Sequence, residues 1–248
     1  MATTHLIFSP KRGDVKLAQI QKLFANIDRI AFKRIKIVDN EAKIVYYPVV
    51  LCGDMNLTLN SQLYKFIIES ELVNYEQHSR KFISGQIRNR TSQSNEQQFL
   101  RRPIIPQTMQ INDHSIFSPH YLQRVGEIKN KTKLELKLLN ETFGSENLFH
   151  TFKFKSAYDL NCFSEQSPFE VTTALPKNHE KVDYIFYNGD DEKDEEDNDS
   201  YLKLNSVLNL FQKEDVENLY FPSRHIPSDH FLLSAKFTLL YKSQKSKI

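Results

Sequence analysis

The fold is organised around one apolar stretch that ends in polar residues, Tyr47-Pro48-Val49-Val50-Leu51-Cys52-Gly53-Asp54-Met55-Asn56. Its run of apolar residues, 49–52, is typical of a strand covered on both faces, and Gly53 allows the backbone to turn where the strand stops. Asp54 and Asn56 follow at the carboxyl end of the strand, where open α/β layers place their chemistry. Taken alone, Gly-Asp-x-Asn is also an ordinary turn, so its interpretation depends on the rest of the chain.

Two later motifs place further polar groups at strand boundaries. One is Val182-Asp183-Tyr184-Ile185-Phe186-Tyr187, and the other is Pro227-Ser228-Asp229-His230. Each has an ordinary alternative, since an Asp that begins a strand is often an edge charge and Ser-Asp-His is often a cap or a turn. Carboxylates and one imidazole gathered from three strand boundaries nevertheless suit a hard, oxygen-ligated cation that holds a phosphate ester. We therefore predict a magnesium-dependent phosphoesterase site.

The residue types suggest how such a site would work. Asp54 is predicted to take a proton from an attacking water, and Asn56 to hold that water or a phosphate oxygen without adding charge. His230 is predicted to donate a hydrogen bond to the phosphoryl oxygen as negative charge accumulates there. Asp183 is the expected orienting group behind this imidazole, because a carboxylate fixes the tautomer and favours the protonated form.

The periodicity of the remaining chain predicts an α/β protein. Ala2-Thr3-Thr4-His5-Leu6-Ile7-Phe8 is expected to be a strand, and a lone histidine such as His5 is more often structural than functional. An amphipathic helix is predicted from Asp14 as its N-cap, with Lys16 on the polar side. Asn60 or Ser61 is expected to cap a second helix. An edge strand is predicted within 149–158, strands over 182–187 and 231–240, and short helical pieces over 202–210 and 214–219.

Composition indicates one globular domain with a basic body. The chain has 248 residues and a formal net charge of +2. Residues 190–199 hold eight acidic residues and one lysine, and without them 32 basic and 23 acidic residues remain, a net charge of +9. We expect 190–199 to be an acidic disordered insertion and 76–112 to be a long surface excursion. The basic body is compatible with a nucleic-acid partner or simply with a soluble surface.

The cysteines and the hydropathy pattern bear on the compartment. Cys52 and Cys162 have no paired spacing, which excludes a zinc motif or a disulfide framework and indicates a reducing environment. No apolar run approaches the ~20 residues of a membrane span, and the N-terminus lacks the plan of a signal peptide. We expect an intracellular protein of the cytoplasm, the nucleus or both.

The three motifs resemble the signature blocks of a known superfamily. The blocks 51–56, 182–187 and 227–230 look like the last three blocks of the endonuclease/exonuclease/phosphatase superfamily in its deadenylase-related branch, and Thr4-His5-Leu6 is similar to a further block of that branch. Within the branch, the segments 10–19, Ser84-Gly85-Gln86 and Ser156-Ala157-Tyr158 resemble the Angel proteins. The resemblance spans essentially the whole chain.

The resemblance implies a fold, an activity and a set of residue roles. The implied fold is a four-layer αββα sandwich of two mixed β-sheets flanked by helices. The implied activity is Mg²⁺-dependent phosphoester hydrolysis at RNA 3′ ends, as a 3′→5′ exoribonuclease of the deadenylase type with poly(A) as a candidate substrate, or as a 2′,3′-cyclic phosphatase. Matched positions make Asp54, Asn56, Asp183 and His230 catalytic, Asp229 a residue at the metal, and His5, with Asn56, a contact to the substrate phosphate.

The resemblance also implies two strands before this chain begins, one with an Asn and one ending in a Glu that binds magnesium. We therefore expect residues 1–248 to form the C-terminal portion of one such domain, with the N-terminal elements missing. Two interpretations follow from this expectation. The chain is an RNA 3′-end phosphoesterase, or it is a catalytically weak or inert form that serves as an RNA-binding or translation-factor-binding module.

Overall fold

The structure of the chain is a computed structural model that describes residues 1–38, 41–87, 99–101, 104–109, 147–158, 170–175, 178–188, 200–219 and 221–241. The chain divides into two compact units, which are described one at a time. Unit 1 comprises Met1–His5, Pro48–Leu59 and Lys153–Ile248, and unit 2 comprises Leu6–Tyr47 and Asn60–Phe152.

Strands outnumber helices among the described residues. The strands are β1 (Ala2–His5), β2 (Phe32–Val38), β3 (Glu41–Tyr46), β4 (Val50–Asp54), β5 (Glu71–Leu72), β6 (Leu148–Phe149), β7 (Phe154–Ser156), β8 (Glu170–Val171), β9 (Thr173–Leu175), β10 (Asn178–Glu180), β11 (Asp183–Asn188), β12 (Ser200–Val207), β13 (Phe211–Gln212) and β14 (Ala235–Tyr241). The helices are α1 (Gly13–Ala31), α2 (Gln62–Glu69) and α3 (Lys213–Val216), with 3₁₀ turns at Tyr75–Gln77 and Gln107–Met109. The predicted α/β class is confirmed.

Unit 1 contains a four-stranded mixed sheet in the order β1-β4-β11-β7. β1 runs parallel to β4, whereas β11 runs antiparallel to both β4 and β7. Leu51, Tyr184 and Phe186 are at most 1% exposed, so the centre of this sheet is core. The strands predicted at 49–52 and 182–187 are confirmed, the strand predicted at 2–8 is found only over Ala2–His5, and β7 is the expected edge strand.

Gly53 is required where β1 approaches β4. Its φ is +142°, and a Cβ built on it would lie 1.8 Å from the carbonyl oxygen of Thr4, its partner across the parallel pair. Only glycine tolerates this backbone conformation and this close approach. The small residue before Asp54 therefore holds the end of β1 against the end of β4.

The prediction of a helical piece over 202–210 is wrong. Residues 200–207 form β12, which pairs antiparallel with β14, and a register shift falls between Leu204 and Ser206. Leu202, Leu204 and Val207 pack against a core cluster that contains Tyr158 and Tyr187. Pairing with β14 and the nearly alternate spacing of these apolar residues outweigh a short stretch of helix-like composition. The helical piece predicted within 214–219 is found as the short helix α3.

Unit 2 contains α1 and α2 and the antiparallel pairs β2–β3 and β5–β6. Leu17, Ile20 and Phe24 form the buried stripe of α1, as the periodicity predicts. Asp14 is not the N-cap, however: the cap position is Arg12, and Asp14 lies in the first turn and pairs with the Arg12 guanidinium. In α2, Ser61 is confirmed as the cap, since its hydroxyl accepts the Tyr64 backbone N–H at 3.0 Å.

One lysine and one polar segment of unit 2 are more buried than the sequence predicts. Lys16 is fully buried and its ammonium donates to Gln86, whereas the amphipathic pattern predicts it on the polar side. In the predicted surface excursion 76–112, Ile83, Leu100 and Ile105 are also buried. These three side chains pack inside unit 2, whereas other described residues of the segment, such as Glu76, Phe99 and Met109, are exposed.

Some expectations fall on residues outside the described ranges. These are the acidic run 190–199, the parts 88–98, 102–103 and 110–112 of the excursion 76–112, and Cys162. Cys52 is half-buried and is a free thiol. A search of the described helices finds none with the length and apolar character needed to cross a membrane.

Candidate active site

Three strand ends of unit 1 place polar side chains in one row. β1 ends in His5, β4 ends in Asp54 and β11 begins at Asp183; the sheet register pairs His5 with Asp54 and Asp54 with Asp183. Residues paired directly across neighbouring strands project from the same face of the sheet. The three side chains therefore lie side by side at one edge of that face, which is where the sequence motifs predicted a site.

A tight turn after β4 orients the Asp54 carboxylate. Its Oδ1 accepts the backbone N–H of Asn56 at 2.8 Å, and Asn56 itself has φ +49°, a left-handed conformation that asparagine tolerates well. Asn56 is 2% exposed, so this turn is packed. With Oδ1 held by the turn, Oδ2 is the oxygen that faces the two histidines.

His230 lies between the two carboxylates. Its Nδ1 donates to Asp183 Oδ2 at 2.9 Å, and its Nε2 lies 3.9 Å from Asp54 Oδ2. The backbone N–H of His230 donates to Ser228 Oγ at 3.0 Å, which tightens the Ser-Asp-His turn. The imidazole side chain is 37% exposed, so one part of the ring is held by carboxylates while another part reaches solvent. The structure thus brings Asp54, Asp183 and His230 together from three separate segments.

The pKa values of two residues in this cluster, His230 and Asp54, are raised above their ordinary values. The pKa of His230 is raised to about 8, mainly by its hydrogen bond to Asp183; burial opposes this shift, and the negative charges of Asp183, Asp54 and Asp229 add to it. The pKa of Asp54 is raised by burial and by the charge of Asp183, against the opposing effects of the Asn56 N–H and of the two histidines. At neutral pH the imidazole is therefore mostly protonated, and Asp54 is a stronger base than an ordinary carboxylate.

His5 and Asp229 lie at the border of this cluster. The His5 Nε2 is 3.3 Å from Asp54 Oδ2, and the His5 side chain is 71% exposed. This position leaves the ring accessible to a ligand that reaches Asp54 from solvent. Asp229 is partly buried, and its carbonyl accepts the Ala174 N–H at 2.9 Å. Its carboxylate does not belong to the closest group of candidate ligand atoms among the described residues, which consists of Asp54, Asp183 and His230 within 4.8 Å.

The donor set suits magnesium in its charge and in its two carboxylates. Two carboxylates this close carry more negative charge than one protonated imidazole compensates, and Asp229 adds to the excess. Carboxylate oxygens are the ligands that Mg²⁺ prefers, and Mg²⁺ keeps several of its own waters, so one or two such groups are enough. A protonated His230 does not coordinate a metal. The cluster is therefore suited to a cation at its carboxylates, with the imidazole acting as a hydrogen-bond donor.

One residue that packs behind the cluster was not indicated by the sequence. Thr172 is fully buried, and its hydroxyl oxygen accepts the backbone N–H groups of Val182 and Asp183, both at 3.0 Å. A threonine in Glu-Val-Thr-Thr-Ala reads as an ordinary strand residue. Its contact to the Asp183 backbone depends on tertiary structure, and no local pattern reveals it.

Comparisons with known proteins agree with this picture. Human "Protein angel homolog 2" is 33% identical over 255 residues, which covers 96% of this chain and 44% of the relative. "Carbon catabolite repressor protein 4 homolog 3" of Arabidopsis thaliana is 37% identical over 86 residues, or 35% of this chain and 17% of that protein. No family model matches the chain.

A solved structure shares the fold. The chain matches the crystal structure of ANGEL2, described as a 2′,3′-cyclic phosphatase in complex with adenosine-2′,3′-vanadate, with a TM-score of 0.65 and 30% identity over 95% of this chain and 55% of that one. The chain spans about half the length of the relatives it matches. Over nearly all of its own length, the chain is a homologue of the Angel proteins, in the deadenylase-related branch of the endonuclease/exonuclease/phosphatase superfamily.

Proposed function

We propose that this protein hydrolyses phosphate esters at RNA 3′ ends, and that a 2′,3′-cyclic phosphate is its main substrate. The observation that carries the proposal is the position of His230, whose Nδ1 is 2.9 Å from Asp183 and whose Nε2 faces Asp54. A base and a protonated donor directed to one place are what attack by water on a phosphate ester requires.

Each residue of the cluster has a defined task in this reaction. Asp54 Oδ2 takes a proton from the attacking water, whose oxygen bonds to phosphorus as the bond from phosphorus to a ribose oxygen breaks. The leaving ribose oxygen takes up a proton from solvent, and Asp54 afterwards releases its proton to solvent, so that protons balance over the turnover. His230 donates a hydrogen bond through Nε2 to a phosphoryl oxygen as charge develops there, and Asp183 holds the ring in place. Asn56 shapes the turn that aims Asp54.

The remaining residues hold the phosphate and its counter-ion. His5 is exposed and 3.3 Å from Asp54, a position from which it contacts the substrate phosphate. Asp229 is the residue that would hold Mg²⁺, which when bound would supply Lewis-acid stabilisation of the phosphate charge. The net charge of +9 outside residues 190–199 favours binding of an RNA backbone.

Two activities of the same site are distinguished by their substrates. The similarity to ANGEL2, which is described as a 2′,3′-cyclic phosphatase, favours opening of a cyclic phosphate. A 3′→5′ exoribonuclease of the deadenylase type would instead cleave the phosphodiester chain of poly(A). Both reactions need the same base and the same donor.

The test uses two oligoadenylates of equal length, one ending in a 2′,3′-cyclic phosphate and the other in a 3′-hydroxyl. The full chain is incubated with each in Mg²⁺ and, separately, in EDTA. We expect loss of the cyclic end, no shortening of the second oligonucleotide, and inhibition by EDTA. Asp54→Asn should lower kcat/KM by about 10³-fold, whereas His225→Ala, at an exposed histidine outside the cluster, should leave it unchanged.

The outcomes separate the alternatives. Stepwise shortening of the 3′-hydroxyl substrate would replace the cyclic phosphatase by the exonuclease. Tight RNA binding with no turnover of either substrate would contradict the enzymatic proposal and favour the RNA-binding module. Binding of adenosine-2′,3′-vanadate, measured by calorimetry, provides a readout that does not depend on turnover.

A further inference from the structure

We propose that Thr172 is a positioning residue that sets the distance between Asp183 and His230 by bracing the backbones of all three segments of the site. This inference rests on the proposed function for its kinetic consequence, but the bracing itself is tested without substrate.

The hydroxyl group of Thr172 holds the segment that carries Asp183. Its oxygen accepts two consecutive backbone N–H groups, from Val182 and Asp183, each at 3.0 Å. A hydroxyl oxygen has two lone pairs for accepting hydrogen bonds, so these two bonds use both. Thr172 is 0% exposed, and water is therefore not available to replace the oxygen. The start of β11 is fixed at the residue whose carboxylate bonds His230.

The backbone of the same residue holds the segment that carries His230. The carbonyl of Thr172 accepts the Phe231 N–H at 2.8 Å, and the next residue, Thr173, forms a β-bridge with His230. The neighbouring Ala174 N–H donates to the Asp229 carbonyl at 2.9 Å. These bonds place the Asp-His pair against the residues around Thr172. One buried threonine thus bonds the backbone of Asp183 and the backbone of Phe231, the residue that follows His230.

The third segment, the turn after Asp54, is linked to Thr172 through Val182. The carbonyl of Val182 accepts the Met55 N–H at 2.9 Å, and Met55 lies in the turn between Asp54 and Asn56. The peptide groups of Val182 therefore bond the Thr172 hydroxyl through the N–H and the Asp54 turn through the C=O. The backbone of Thr172 is itself fixed, because its N–H donates to the Glu180 carbonyl at 3.0 Å.

The side chain of threonine is needed for this arrangement because of its oxygen. Thr172→Val keeps the shape but leaves two buried N–H groups without an acceptor, and the start of β11 must then move to satisfy them. Thr172→Ser keeps the acceptor and loses one methyl group. Since a displacement of about 1 Å in a catalytic group can cost about a hundredfold in rate, the two variants should differ strongly in activity although both change one small side chain.

The first measurement is amide hydrogen exchange of Val182 and Asp183 in the full chain. In the wild type and in Thr172→Ser we expect both amides to be strongly protected. In Thr172→Val both should exchange faster by tenfold or more, while amides at the centre of β4 keep their protection. Thr238→Val is the matched control, because Thr238 is an exposed strand residue whose hydroxyl accepts one side-chain bond, from Asn205.

The second measurement is kinetic. Thr172→Val should lower kcat about 10- to 100-fold with little change in KM, because substrate contacts remain while the reacting groups are misplaced. Thr172→Ser should recover most of that loss. If Thr172→Val does not fold, the comparison of Thr172→Ser with the wild type and the protection of the two wild-type amides remain decisive.

The results that overturn the proposal are specific. Rapid exchange of Val182 and Asp183 in the wild type would do so, and so would a Thr172→Val protein with normal protection and normal kcat. Equal losses of kcat in the Ser and Val variants would also contradict it. If the wild type turns over no RNA 3′ end but the exchange pattern is as expected, the proposed function fails and the bracing by Thr172 stands.

Discussion

Two histidines of this protein, His230 in unit 1 and His150 in unit 2, have opposite environments. The Nδ1 of His230 donates to a carboxylate and its Nε2 faces a second one, and its pKa is raised to about 8. The ring of His150 packs against Phe24 and Phe66, with ring centroids 4.6 and 5.0 Å apart, and burial lowers its pKa to about 4. The same side chain is thus a cation in one region and a neutral group in the other.

The hydrogen bonds of His150 explain why it stays neutral. Its Nδ1 accepts the Phe152 backbone N–H at 3.2 Å, and its Nε2 donates to the Phe66 carbonyl at 2.8 Å. One acceptor and one donor satisfy the neutral ring. A second proton would have to bind at Nδ1, where it would displace the hydrogen bond from the Phe152 N–H.

The comparison shows what distinguishes a reactive histidine from a structural one. Aromatic neighbours and backbone partners fix His150 as part of the core, whereas two carboxylates keep the partly exposed ring of His230 protonated at neutral pH. The following experiments are expected to separate the two, and they are ordered by the size of the effect.

The largest effect is expected on activity. His230→Gln should lower kcat/KM by about 10³-fold, because it removes the donor to the developing phosphate charge. His150→Gln should change kcat/KM by less than about threefold in the folded protein, because this ring does not reach reacting atoms. The measurement is turnover of a 2′,3′-cyclic phosphate end by both variants. Comparable losses in the two would remove the distinction.

The second effect is on stability in acid. Because the pKa of His150 in the folded protein lies below the ordinary 6.5, the unfolded chain binds more protons between these values. The free energy of unfolding should therefore fall as the pH is lowered from 6.5 towards 4, by roughly 2 kcal/mol after allowance for partial exposure. Denaturant unfolding at several pH values measures it. His150→Phe should lose this slope, and a variant that keeps the full slope would show that other groups cause it.

The third effect is on the pH dependence of the rate. Because the raised pKa of His230 keeps it protonated below about 8, kcat/KM should fall as the pH rises through that value. Asp183→Asn removes the carboxylate that raises this pKa, so the alkaline limb should move towards 6.5 and kcat/KM above neutral pH should fall about tenfold. The same sign holds for stability: the contribution of the Asp183–His230 bond is complete below 6.5 and is lost as the pH rises through about 8. An alkaline limb that does not move would contradict this role of Asp183.

The smallest effect is a gain of stability on removal of the charge of Asp54, the proposed base. Burial and the Asp183 charge raise the pKa of Asp54, so its ionised form destabilises the folded protein at neutral pH. Asp54→Asn keeps an oxygen that can accept the Asn56 N–H and removes the charge. Its Tm at neutral pH should stay equal or rise by up to about 3 °C, although its activity is lost. A clear fall in Tm would show that the carboxylate has a net structural role.

The sequence predicts the residues of this site better than it predicts the contacts that hold them in place. Asp54, Asp183 and His230 stand in short motifs at strand ends, so their types and positions suffice to predict that they meet. The partner of Asp54 in β1, the need for glycine at position 53 and the bonds of Thr172 arise from the register of paired strands. Register depends on the whole sheet and is only weakly encoded by any one strand.

The errors in the fold have the same origin. Residues 200–207 form a strand because β14 pairs with them, and Lys16 is buried because Gln86, seventy residues away, accepts a hydrogen bond from its ammonium group. In both cases a contact with a residue distant in the sequence outweighs the structure that the local sequence pattern favours. The environment of His150 likewise depends on long-range partners, since its aromatic neighbours come from α1 and α2.

A titration of the two histidines by NMR tests the central claim most directly. With ring signals assigned by His230→Gln and His150→Gln, we expect His230 to titrate near 8 and His150 near 4, and Asp183→Asn to lower the pKa of His230 alone. If His230 titrates at or below 6.5 and does not respond to Asp183→Asn, the carboxylate does not hold a protonated imidazole beside Asp54, and the account of this site is contradicted.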